Sequence, residues 1–157
     1  MRVGLDAVGA RPLGTASAIV LPPPGSPITA GRAGCWVVDD AGPLALRMPV
    51  SGLVGRVNDE LRFSPSLAIR DPYGEGWLLE VEGHDAAAGC EALATADEFA
   101  APAREALARL EAEVRSQLDA GRTAVGPTAC DGGERIVDLR DALGAKRWRQ
   151  TIRPFFF

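Results

Sequence analysis

From Val3 to about Val81 the chain alternates short apolar runs with turn-forming residues. Ala18-Ile19-Val20-Leu21 runs into Pro22-Pro23-Pro24-Gly25, and Cys35-Trp36-Val37-Val38 into Asp39-Asp40-Ala41-Gly42-Pro43. Leu44-Ala45-Leu46, Gly52-Leu53-Val54-Gly55-Arg56-Val57 and Gly76-Trp77-Leu78-Leu79-Glu80-Val81 continue the pattern. Short runs punctuated by Gly and Pro predict the strands of an all-β sandwich or barrel, and nothing in this region has a helical period.

The period changes after Thr95. Phe99, Ala103, Leu107, Leu110, Val114 and Leu118 recur at intervals of four and three, which sets them on one face of a helix. Thr95 with Glu98 three residues later makes a capping box, Asp97 and Glu98 suit the positive end of the helix dipole, and Gly121 supplies a stop. Pro102 predicts a helix in one or two pieces, because proline removes a backbone donor inside a helix. Beyond Arg122 the text offers a Gly/Pro/Thr linker (123–128), a short strand over Arg135-Ile136-Val137-Asp138-Leu139, a helix through 140–149 and an apolar end, Phe155-Phe156-Phe157. Two parts are expected: residues 1–120 as a β domain closed by its helix, and 121–157 as linker and C-terminal extension.

Length adds one constraint, since 157 residues suit one domain, or a smaller one with an appendage. Hydrophobic residues at 46% are enough for a real core, while no apolar run approaches the ~20 residues of a membrane span. The start, Met1-Arg2-Val3-Gly4, lacks the pattern of a secretory signal, so a cytoplasmic protein with no membrane partner is expected. A net charge of −4 argues against nucleic acid, whose phosphates call for clustered Lys and Arg. Cys35, Cys90 and Cys130 are widely spaced and odd in number, which reads as free thiols rather than a metal or redox pair. His84 is the only histidine, so no metal site is expected. Among 17 basic residues, Lys146 is the one lysine, and any lysine-borne group has a single possible anchor.

Pro49-Val50-Ser51-Gly52, then Val57-Asn58, then Asp71-Pro72-Tyr73-Gly74-Glu75-Gly76-Trp77-Leu78 resemble the glycine cleavage system H-protein family. The resemblance begins at Arg2-Val3-Gly4, passes through Leu13-Gly14, Leu21-Pro22, Gly25 and Ala30-Gly31, and runs on through Leu93 to Phe99 and as far as Leu118. It implies a mainly β, lipoyl-domain-like fold, the barrel-sandwich hybrid, with a C-terminal helix and here an extra C-terminal segment. It also implies a carrier rather than a catalyst: a lysine on a hairpin tip bears lipoate, which visits a pyridoxal-phosphate decarboxylase, a folate-dependent transferase and a flavin dehydrogenase. Counting back from Pro49 to the attachment position gives Ala41, which has no amine. The family usually begins one strand earlier, so an open sheet edge is expected, to be filled by 135–139 or 151–157.

From these residues lipoate is not expected, and the chain reads as a non-catalytic interaction, scaffold or regulatory partner of an enzyme related to glycine cleavage or to amino-acid or one-carbon metabolism. Asp71, Tyr73, Glu75 and Trp77 are candidate docking residues, beside their structural reading as turn and core cover. Trp148 with Phe155, Phe156 and Phe157 is a candidate partner-binding tail, since Arg and aromatic side chains dominate binding hot spots; the same residues equally suit covering this chain's own core. Lys146 and Cys35 are the weak alternatives for an attached group in a noncanonical carrier. A conventional lipoylated H-protein role is the third reading. Ser51, His84 and an Asp suggest a catalytic triad only on paper, and no enzymatic anchor is expected.

Overall fold

The computed structural model describes residues 1–123, 140 and 143–156. Its β part is two antiparallel sheets over one core. One sheet runs in the order β1 (Arg2–Val3), β7 (Leu79–Glu82), β6 (Gly52–Val57), β3 (Pro27–Ile28), and the other β2 (Ala18–Val20), β4 (Ala33–Asp39), β5 (Gly42–Arg47). The sheets face each other without closing into a barrel. Alternation decides which residues enter the core: Cys35, Val37, Leu44, Leu46, Val54, Leu79 and Val81 point inward, while Trp36 and Leu53 remain partly exposed. Each of the two longest pairings carries a bulge, at Gly34 between Ala33 and Cys35 and at Gly55 between Val54 and Arg56, where the register slips by one residue.

Short helices sit between strands where the pattern predicted only turns: α1 (Ala7–Ala10), α2 (Leu67–Arg70) and two one-turn helices at Arg11–Leu13 and Asp59–Arg62. They put Leu13, Leu61 and Ala68 into the core. α3 (His84–Glu91) follows the last strand.

α4 (Ala96–Thr123) begins as the capping box requires. The Thr95 N–H donates to Glu98 Oε2 (2.7 Å), the Thr95 hydroxyl donates to the same oxygen (2.9 Å), and the Glu98 N–H donates to Thr95 Oγ1 (3.4 Å). Ala103, Leu110 and Val114 are buried, whereas Phe99, assigned to the same stripe, is exposed and borders a groove between α1 and α4. The helix passes Pro102 without a break and runs through Gly121 instead of stopping there.

α5 (Ala145–Phe156) settles how the described part of the extension packs. Gly144, at φ 74°, precedes it, and Trp148 and Ile152 enter the same buried cluster as Val37, Leu79 and Val114; Leu143 joins them. The Trp148 indole donates to the Pro12 carbonyl (2.8 Å), and the Thr151 hydroxyl lies 3.0 Å from Gln117 Oε1 on α4. Of the two segments expected to fill an open sheet edge, 151–157 is described as far as Phe156, and it is helical rather than added to a sheet. α5 lies against β5, an edge strand, and covers it as a helix can. The strand expected at 135–139, Cys130 and Phe157 lie outside the described residues, as do the side chains of Phe155 and Phe156.

Candidate functional site

The β4–β5 hairpin has the geometry that its sequence suggests. Asp39 pairs with Gly42 across the two-residue turn Asp40-Ala41, and the Asp39 side chain accepts the Ala41 N–H (2.9 Å), an Asx turn that fixes the corner. Gly42 takes φ 101°, a conformation that a side chain would strain. Ala41 stands half-buried at this tip and presents a methyl group.

The tip is not free. Asp39, 7% exposed, bonds Arg140 Nη2 through Oδ2 (3.1 Å) and Arg149 Nη2 through Oδ1, and Arg140 Nη2 also pairs with Asp40. Arg149 Nη2 donates to the Gly42 carbonyl as well (3.0 Å). Arg140 passes over Gly14, whose missing Cβ leaves the room its guanidinium occupies. Burial pushes the Asp39 carboxyl up, but the hydrogen bonds from Arg149, the Ala41 N–H and Arg140, together with the Arg149 charge, outweigh it and hold the group below its ordinary 3.8. Among the described residues, Arg149 Nε and Nη1 are buried with no hydrogen-bond partner. Sequence reasoning missed this pair of arginines.

The segment Asp71–Trp77 is built as a rigid loop. The Asp71 carboxylate accepts the Glu75 N–H (2.9 Å), and buried Asn58 donates from its amide to the carbonyls of Glu75 and Trp77 (2.8 Å each) while accepting the Glu60 N–H. A Cβ at Gly76 would collide with the Leu67 and Asp71 carbonyls, which explains the glycine there. On this frame Tyr73 is 77% exposed, its hydroxyl accepting the Ala7 N–H (3.1 Å), and Glu75 is exposed. Trp77 is half-buried between the guanidinium groups of Arg2 and Arg56, 5.1 and 5.0 Å from its ring centre, and Glu80 pairs with both arginines. Asp71 and Trp77 thus support the loop, while Tyr73 and Glu75 are what it displays.

The remaining candidates separate cleanly. Trp148 is buried within the chain, which corrects its assignment to an outward docking tail: the indole is occupied by the core and by Pro12. Cys35 is fully buried in β4 and burial pushes its thiol up to about 12, so the thiolate an attachment would need does not form; this corrects Cys35 as an alternative anchor. Lys146 is exposed on α5, three residues before Arg149. Ser51 Oγ accepts the Ala30 N–H (2.9 Å), a structural bond. No group of three or more His, Cys, Asp or Glu among the described residues is placed to hold a metal, and no described helix is long and apolar enough to cross a membrane.

Comparison with known proteins meets this geometry directly. The family model for the glycine cleavage H-protein matches residues 1–106. The chain belongs to the glycine cleavage H-protein family. It is 42% identical over 88 residues to the glycine cleavage system H protein of Mycobacterium avium (strain 104), covering 56% of this chain and 67% of that protein. It is 40% identical over 95 residues to that of Mycobacterium leprae (strain Br4923), covering 60% and 72%. The crystal structure of a glycine cleavage system H protein from Mycobacterium marinum superposes with a TM-score of 0.51 at 30% identity, over 59% of this chain and 79% of that one. α5 and Arg140 lie beyond the residues that the family model matches.

Family membership overturns one expectation outright. Lipoate is the cofactor of H-proteins, so the expectation of no cofactor, drawn from Ala41 and from the lack of any lysine before Lys146, is corrected by the family match and by the names of the relatives. The family is a carrier family that works with protein partners. At the hairpin tip itself the residues do not fit covalent attachment: an amide needs an amine, and Asp39, Asp40, Ala41 and Gly42 offer carboxylates, a methyl group and backbone. The one lysine side chain is that of Lys146.

Proposed function

We propose that this protein is a cytoplasmic, non-catalytic protein partner within the glycine cleavage system, engaging one of its enzymes through the face displayed by the Asp71–Trp77 loop. The observation that carries this reading is the division of labour in that loop. Asp71, Asn58 and Gly76 spend their interactions on holding the backbone rigid, and the result presents Tyr73 and Glu75 to solvent on a fixed frame. A rigid loop that exposes an aromatic ring loses little entropy on binding, which favours recognition. Tagged protein isolated from its own host should bring down a glycine cleavage enzyme, and Tyr73→Ala with Glu75→Ala should abolish that capture while the chain stays folded, as circular dichroism checks. Equal capture by the double variant would contradict the reading.

A carrier reading is favoured by the names of the relatives and by the position of Lys146. That lysine is exposed on the helix that grips the hairpin tip, and it bears the chain's one side-chain amine. It predicts a lipoyl adduct on the Lys146 peptide of protein from the native host. An unmodified Lys146 peptide in protein that supports glycine cleavage contradicts it.

A further inference from the structure

We propose that α5, together with Arg140 just before it, is an intramolecular latch on the β4–β5 hairpin, holding its tip through Arg140 and Arg149 so that the tip and the C-terminal helix open and close as one unit. Three observations meet at this contact. The hairpin tip is acidic, with Asp39 and Asp40 adjacent, and each carboxylate is held by an arginine more than ninety residues away in sequence. Arg149 also takes the Gly42 carbonyl, so one guanidinium spans both sides of the turn. Beneath the arginines, Trp148 and Ile152 fasten the same helix to the core, so the grip has a fixed base.

The ion pairs of the latch carry a cost of their own. A buried ion pair gives up hydration for contact, and here Arg149 also leaves Nε and Nη1 buried without a partner. Opening the helix breaks the bonds to Asp39 and Gly42 and uncovers Trp148 and Ile152, while water returns to those two donors and offsets only the ion-pair part of the loss. The closed state is therefore shallower than its count of ion pairs suggests. With the latch closed, a protein approaching the hairpin meets the exposed carboxylate of Asp40 beside the outer face of α5, where Lys146, Arg147 and Gln150 are exposed, while Asp39 is covered.

Amide hydrogen exchange on the full chain, read by mass spectrometry, tests this without any partner, so its outcome is independent of the function proposed above. In Arg140→Gln, peptides covering 38–47 and 145–156 should exchange faster together by about tenfold, and in Asp40→Asn by about two- to fivefold, with those covering β6 and β7 unchanged. Arg149→Gln should give a larger joint change. If that variant loses protection throughout, the milder Asp40→Asn, whose carboxylate is largely exposed, still decides the matter. Faster exchange in one segment with wild-type protection in the other, or no change in either, would overturn the latch.

Discussion

Asp39 carries opposing roles in one side chain: it shapes the hairpin turn by accepting the Ala41 N–H, and it receives two arginines from the C-terminal region. Its depressed pKa has a definite consequence for stability. A carboxyl held lower in the folded chain than in the unfolded one contributes stability that is fully present above its ordinary 3.8, and that stability is lost as pH falls through the depressed value. Urea midpoints measured against pH should fall on acidification through this window, and Asp39→Asn should flatten that fall. At neutral pH the same variant should cost on the order of 3 kcal/mol, because it leaves two arginines facing an uncharged amide. Gly76 makes the complementary case for space. Gly76→Ala drives a methyl group into the Leu67 and Asp71 carbonyls, and chemical denaturation should show a loss of about 1–3 kcal/mol with a fold otherwise retained.

Elements differ in how clearly the sequence announces them, and the reason is physical. α4 was legible because its apolar positions repeat over several turns and its capping box is a local signal, realised by the reciprocal Thr95 and Glu98 bonds. Replacing Thr95 by Ala should cost about 1 kcal/mol, measurable as a lower thermal midpoint. Strands β1 and β3 escaped notice because two residues cannot display a period, and their pairing partners β7 and β6 are remote in sequence. The stop predicted at Gly121 failed because a glycine ends a helix only where its backbone adopts the left-handed turn, and here the helix runs through it to Thr123. α5 was foreseen only in part: a helix was expected over 140–149, while the observed one occupies Ala145–Phe156 and begins after the positive φ of Gly144. Its inward anchor, Ile152, is fully buried, so Ile152→Ala should destabilise the chain by about 2–5 kcal/mol, and equilibrium unfolding checks this.

At the scale of the molecule, the family was legible and the use of the extension was not. The signature Asp71–Trp77 and the hairpin string lie within the stretch that the H-protein family model matches, and both fold as the resemblance implied. Aromatic and arginine residues near a C-terminus suit a partner's surface and the chain's own core equally well, and only the three-dimensional path places Trp148 in the core and Arg149 on Asp39. The division at residue 120 follows the helix end in sequence, whereas the core itself is shared by Val37, Val114 and Ile152 on both sides of it. The family's cofactor is lipoate, while the hairpin tip from Asp39 to Gly42 carries no amine, and recognition of a protein partner through the Asp71–Trp77 loop is the role proposed above. Calorimetric titration of the purified full chain with each of the host's glycine cleavage enzymes tests that claim most directly. One enzyme should bind the wild type, and Tyr73→Ala with Glu75→Ala should weaken its Kd by about tenfold or more with the fold retained; equal affinities in the two proteins, or no binding to any of the enzymes, would contradict it.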